Sequence, residues 1–104
     1  MSVMFEFAMF PTDKGESVSS YVSRILKIID ESNVPYKLTP MGTIVEVETF
    51  EEALAIINAA YGELQEDCGR IYSTVKFDVR KGKSGRLTQK IDSIEKKVGK
   101  KLRT

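Results

Sequence analysis

The sequence predicts an α+β domain: one four-stranded antiparallel sheet, helices on one of its faces, and an extra C-terminal helix. Three observations carry this. Short apolar segments of period two alternate with longer segments of helical period. They follow the order β-α-β-β-α-β, and one more helical stretch comes after. The loops between them are only a few residues long, so consecutive elements become neighbours in space. The order is that of ferredoxin-like domains, where two right-handed crossovers place both helices on one sheet face. The first and third strands then lie in the centre. A length of 104 residues suits a single domain spanning residues 1–104.

The first strand is expected over residues 2–10. Val3, Phe5, Phe7 and Met9 alternate onto one face, and Pro11 ends the run. The first helix is expected from Ser17 to Ser32, with Ser17 as N-cap and a stripe of Val18, Tyr21, Val22, Ile25, Ile28 and Ile29. Asn33 can take the left-handed conformation at its end, and Pro35 prevents continuation. Two short strands follow, Tyr36–Met41 and Thr43–Glu48, turning at Gly42. Pro40 assigns the first of them to an edge, because proline donates nothing to a ladder.

Thr49 and Glu52 form a capping box that opens the second helix. Its apolar stripe is read as Phe50, Ala53, Leu54, Ile57, Ala60, Tyr61 and Leu64, with Gly69 as the stop. Arg70–Val79 is the last strand, and a third helix is expected from Leu87 to Leu102. Its thin stripe is Leu87, Ile91, Ile94 and Val98. One sheet face, with Val3, Phe5, Phe7, Met9, Val45, Val47, Ile71, Val75 and Phe77, belongs under the helices. The other mixes Met4, Ala8, Phe10, Met41, Ile44 and Tyr72 with Glu6, Glu46 and Lys76. That face is too apolar for water alone, which points to a homo-oligomer with sheets or edges packed together.

Composition narrows the function. The chain has no histidine, which removes His-dependent triads, His-ligated zinc and imidazole bases. A single cysteine, Cys68, excludes an intrachain disulfide and thiolate metal clusters. It lacks an activating base nearby in sequence and reads as structural. No metal or cofactor is expected. No apolar run has the length of a membrane span, and the N-terminus lacks a signal-peptide pattern, so the expected location is cytoplasmic. Net charge is +1, unevenly spread: residues 1–79 carry 6 basic and 13 acidic side chains, and residues 80–104 carry 10 and 2. The basic tail is read as a solvated helix, or one docked on the acidic body of its own or a neighbouring subunit.

Three ordered segments carry a resemblance: Glu6-Phe7-Ala8-Met9-Phe10-Pro11 with Lys14-Gly15-Glu16-Ser17-Val18-Ser19; Pro40-Met41-Gly42-Thr43-Ile44-Val45-Glu46; and Arg70-Ile71-Tyr72-Ser73 leading to Asp78-Val79-Arg80. Together they resemble the small thiamine-binding protein family, which is related to tandem-domain thiamine and hydroxymethylpyrimidine binders of bacilli. The resemblance implies a ferredoxin-like subunit, homo-oligomers that are often tetramers (a dimer being the other expected form), and binding of thiamine or its hydroxymethylpyrimidine half without a catalytic step. Val47 stands where relatives often carry glycine.

An aminopyrimidine joined to a cationic thiazolium calls for hydroxyls or carboxylates on the pyrimidine, apolar or aromatic cover for the rings, and negative charge or a ring face near the cation. Thr43 and Ser73 are the polar exceptions on the apolar face, Phe7, Met9 and Leu38 are candidate walls, and Glu46 and Asp78 are candidate carboxylates. Each has a plainer reading beside the ligand one. Thr43 can serve the turn, and Ser73 can make room for a helix side chain. Glu46 can pair with Lys76 across strands, Asp78 can pair with a base, and Phe7 and Met9 can be core. An RNA-binding module is the alternative function, using the sheet face and the basic C-terminal helix. The chain lacks the RNA-recognition signature, and Glu6 and Glu46 on that face repel phosphate. A carboxylate acid–base enzyme lacks a defined pair of carboxylates.

Overall fold

A computed structural model describes residues 1–104. The elements are β1 (Ser2–Pro11), α1 (Ser19–Glu31), β2 (Tyr36–Thr39), β3 (Gly42–Val47), α2 (Phe50–Leu64), β4 (Ile71–Arg80) and α3 (Arg86–Val98). The strands form one antiparallel sheet in the order β2-β3-β1-β4, so β1 and β3 are central and β2, with Pro40 just beyond it, is at an edge. Phe5 pairs with Val45 on one side and with Phe77 on the other.

One sheet face and the two crossover helices share the core. Val3, Phe5, Phe7, Met9, Val45 and Val47 meet Ile25 and Ile29 of α1 and Ala53, Ile56, Ala60 and Leu64 of α2. Burying one such side chain contributes roughly 1.5–3 kcal/mol, so this cluster is the main source of stability. Alternation along β1 is the cause: its odd residues are buried on the helix side, and its even residues from Met4 to Phe10 are half-exposed on the other.

Five element boundaries or faces differ from expectation. α1 begins at Ser19 with Val18 at the N-cap and no side-chain cap; the Ser17 hydroxyl lies 3.5 Å from that of Ser19 instead. Pro40 and Met41 belong to the turn after β2, where the Thr39 hydroxyl accepts from both Met41 N–H and Gly42 N–H. α2 ends at Leu64, ahead of Gly69. Gly69 serves another purpose: its N–H donates to Asp13 at 2.7 Å, and a Cβ there would sit 2.8 Å from the same carboxylate oxygen. Within α2 the buried stripe is Ala53, Ile56, Ala60 and Leu64, whereas Phe50, Leu54 and Tyr61 face outward. α3 stops at Val98, because Gly99 turns left-handed at φ 88°.

The Thr49–Glu52 cap forms as expected, the Thr49 hydroxyl accepting from Glu52 N–H at 3.1 Å. Asn33 is left-handed at φ 57°. α3 crosses to the outer sheet face and docks there through its first turn, covering part of the apolar surface that the sequence leaves open.

Candidate ligand-binding cavity

At the end of the sheet where β1 finishes, the β2–β3 hairpin and the first half of α1 enclose a cavity of about 240 Å³. Phe7 and Met9 come from β1, and Val18, Val22, Ile25 and Leu26 come from the start of α1. Leu38 to Thr43 close the hairpin side, with Leu38 and Met41 exposed at the rim. The hairpin passes close to β1: a Cβ at Gly42 would lie 3.1 Å from the Phe7 carbonyl oxygen, so glycine lets the wall approach.

No charged side chain lines this space, and only two hydroxyls do. They differ. Thr39 is committed, accepting the two turn N–H groups and donating to the Gly42 carbonyl at 2.8 Å. Thr43 is 4% exposed, and its hydroxyl has no hydrogen-bond partner in the chain. It retains access to the cavity, as no sealed-off polar side-chain atom is left unsatisfied. An accessible, unspent donor–acceptor in an apolar cavity can fix the orientation of a flat heterocycle.

The other candidates lie elsewhere. Glu46 is buried on the outer face and holds α3. Its Oε2 accepts from the Ser2 hydroxyl at 2.6 Å and from Arg86 N–H at 3.1 Å; its Oε1 accepts from Leu87 N–H at 3.1 Å. Burial pushes the Glu46 carboxyl up, but these donors and the Arg86 charge together hold it below the ordinary glutamate value. Negative charge at the first turn of α3 also complements the helix dipole. Asp78 receives the Arg86 guanidinium at 2.8 Å. Both carboxylates are therefore spent on anchoring α3, away from the cavity. Lys76 pairs with Glu6 at 2.9 Å and leaves Glu46 alone. Ser73, opposite Met9 in the β1–β4 register, is exposed on the edge strand and does not line the cavity. Cys68 is buried, and desolvation pushes its thiol up, away from reactivity.

Phe7, Met9, Leu38 and Thr43 are thus brought together, and Glu46, Ser73 and Asp78 are not. Val18, Val22 and Ile25 were legible as part of an apolar helix stripe, Leu26 was not, and nothing in the spacing of the four marks them as cavity walls. The RNA alternative loses ground, because α3 occupies part of the outer face and Glu6 remains on it.

Fold and cavity together define a ferredoxin-like domain with an apolar recess between sheet, hairpin and first helix. Residues 5–95 match the model of the thiamine-binding protein family, and the chain belongs to that family. It is similar to a UPF0045 protein of Methanothermobacter thermautotrophicus, 34% identical over 83 residues that cover 79% of this chain and 84% of that one. A UPF0045 protein of Mycobacterium tuberculosis is 28% identical and covers 92% of this chain and 94% of its own. Among solved structures, a hypothetical protein from Methanocaldococcus jannaschii superposes with a TM-score of 0.80 at 29% identity, over 89% of this chain and 95% of that one. A Thermotoga maritima protein, assigned provisionally to thiamine biosynthesis or salvage, gives a TM-score of 0.77 at 19% identity, over 90% and 99%. That last likeness is one of fold.

Proposed function

We propose that this protein binds thiamine or its hydroxymethylpyrimidine half in the cavity, without catalysis, as a cytoplasmic carrier, buffer or sensor, and that it does so as a homo-oligomer. Family membership supports the ligand class. The observation that carries the site is Thr43, a buried residue whose hydroxyl has no partner in the chain and stays accessible in an otherwise apolar recess. A hydroxyl can donate to a pyrimidine ring nitrogen or accept from its amine. Phe7 and Met9 supply flat and flexible cover for a ring. The absence of a lining charge favours the neutral pyrimidine over the cationic thiazolium, which would have only ring faces to meet it. Calorimetric titration of ligand-free protein with hydroxymethylpyrimidine, thiamine and thiamine phosphate tests the reading. Saturable binding that weakens in Thr43→Val supports it. No heat with any of the three, from folded protein, removes it.

A further inference from the structure

Two large apolar side chains combine exposure with a place on the wall of the cavity: Leu38, 61% exposed, and Met41, 86% exposed. They differ in what holds them. Leu38 belongs to β2 and pairs with Thr43 in the ladder, so the pleat aims its side chain. Met41 sits in the turn between β2 and β3 and is the most exposed large apolar residue of the chain. Single exposed apolar residues are ordinary on a protein surface. One that hangs at the mouth of an apolar recess has a surface to cover.

The backbone beneath Met41 is fixed. Its N–H donates to the Thr39 hydroxyl at 3.2 Å, Gly42 N–H donates to the same oxygen at 3.1 Å, and that hydroxyl donates to the Gly42 carbonyl at 2.8 Å. Pro40 restrains φ on one side of Met41. On the other side Gly42 lies close against the Phe7 carbonyl. Motion at this turn therefore belongs to the side chain. Methionine is unbranched, with three rotatable bonds and a polarisable sulfur, which suits it to cover a flat ring. An exposed side chain changes rotamer in picoseconds to nanoseconds, with no rearrangement of the hairpin.

We propose that Met41 determines the specificity of the cavity: its side chain swings from solvent over a ligand seated against Thr43, and it favours ligands that fit wholly beneath it. This rests on the reading of the cavity as a pyrimidine site. In the free protein the Met41 side chain stands in water. A ring that fills the recess to its rim offers it an apolar surface, and contact removes both from water. Hydroxymethylpyrimidine is one neutral ring and lies wholly inside. Thiamine adds a thiazolium with a permanent positive charge. No charged side chain lines the recess, so burying that ring there would leave a cation unpaired. The thiazolium therefore stays at the mouth, in the space that Met41 needs in order to close. Closure favours the bare pyrimidine beyond the Thr43 hydrogen bond, which both ligands make.

Calorimetric titration of wild type and Met41→Ala with hydroxymethylpyrimidine and with thiamine tests this. The substitution keeps the turn N–H and removes the cover, and at so exposed a position it should leave the urea unfolding curve unchanged. Hydroxymethylpyrimidine should bind roughly tenfold more weakly, as expected from uncovering about half a methionine side chain, and thiamine less than about threefold more weakly. Met41→Leu should restore most of the loss. Equal losses for the two ligands, or no loss for either, overturn the proposal and leave the cavity reading standing. Peroxide oxidation of wild type, followed by mass spectrometry, reads the closure without a variant. Met41 should be oxidised several-fold more slowly in protein saturated with hydroxymethylpyrimidine, while Met4 on the outer face keeps its rate. An unchanged Met41 rate in the saturated protein also overturns the proposal. A folded wild type that gives no heat with either ligand removes the cavity reading, and the role of Met41 with it.

Discussion

The two ends of the sheet handle polar groups in opposite ways. At one end Glu46 is buried with three donors on its two oxygens, and it holds the first turn of α3 against β1 and β3. At the other end Thr43 is equally buried, and its hydroxyl is bonded to nothing in the chain. Polarity and burial are alike; what differs is how much hydrogen-bonding capacity is already spent. A saturated buried group is structural, since any ligand must displace partners that fold the protein. An unspent one beside a cavity is available to a ligand, because leaving it unmade costs free energy that a ligand can recover.

The largest expected effect breaks the saturated end. Glu46→Ala leaves the Ser2 hydroxyl and the backbone N–H groups of Arg86 and Leu87 without their acceptor, and removes the negative charge that faces the buried Arg86. Unfolding by urea should show a loss of about 3 kcal/mol, in the range for removing one partner of a buried charged network. Ligand affinity of the fraction still folded should barely change. A large loss of affinity with little loss of stability would reverse the assignment of the two ends.

A second effect of the same group appears with pH. The folded Glu46 carboxyl is held below its ordinary value, so its contribution is complete above the unfolded pKa and disappears as pH falls through the folded one. Wild type should lose stability on acidification below the ordinary glutamate range. Glu46→Gln should lose less over that window, although Asp67, held low chiefly by its hydrogen bond from Arg24, contributes a slope to both. Equal slopes in the two proteins would show that Glu46 is not the titrating group.

The unspent end predicts the inverse pattern. Thr43→Val keeps the shape and removes a hydroxyl without a partner, so stability should move by less than about 1 kcal/mol. Affinity for hydroxymethylpyrimidine should fall roughly tenfold, the equivalent of one hydrogen bond. Unchanged titration curves would place the ligand elsewhere. The smallest effect belongs to Ser73→Ala. It lies on the exposed edge strand, and both stability and ligand affinity should stay within about 0.5 kcal/mol of wild type.

Most of the fold is legible in the sequence. Alternation along β1, the capping box at Thr49 and the left-handed Asn33 are local, and each sits where its local chemistry places it. The misplaced features are those where local signals compete. α2 carries two apolar stripes side by side, and helical periodicity alone cannot say which of them faces the sheet. Ser17 has the chemistry of a cap, but the helix starts two residues later.

The site divides along the same line. Residue chemistry nominated Thr43 and Ser73 as hydroxyls on the apolar face and Glu46 and Asp78 as carboxylates, with nothing to separate those already bonded from those free. By itself the sequence determined the order of elements, the central strands and the apolar face, since these follow from periodicity and turn residues within a few positions of each other. Tertiary structure alone decided which polar groups are spent. Arg86 reaches Ser2 and Asp78 only because α3 returns to the outer face, far along the chain from β1. Thr43 stays free only because the hairpin and α1 leave an apolar gap around it. Hydrogen-bond saturation is a property of through-space neighbours, and sequence spacing does not encode it.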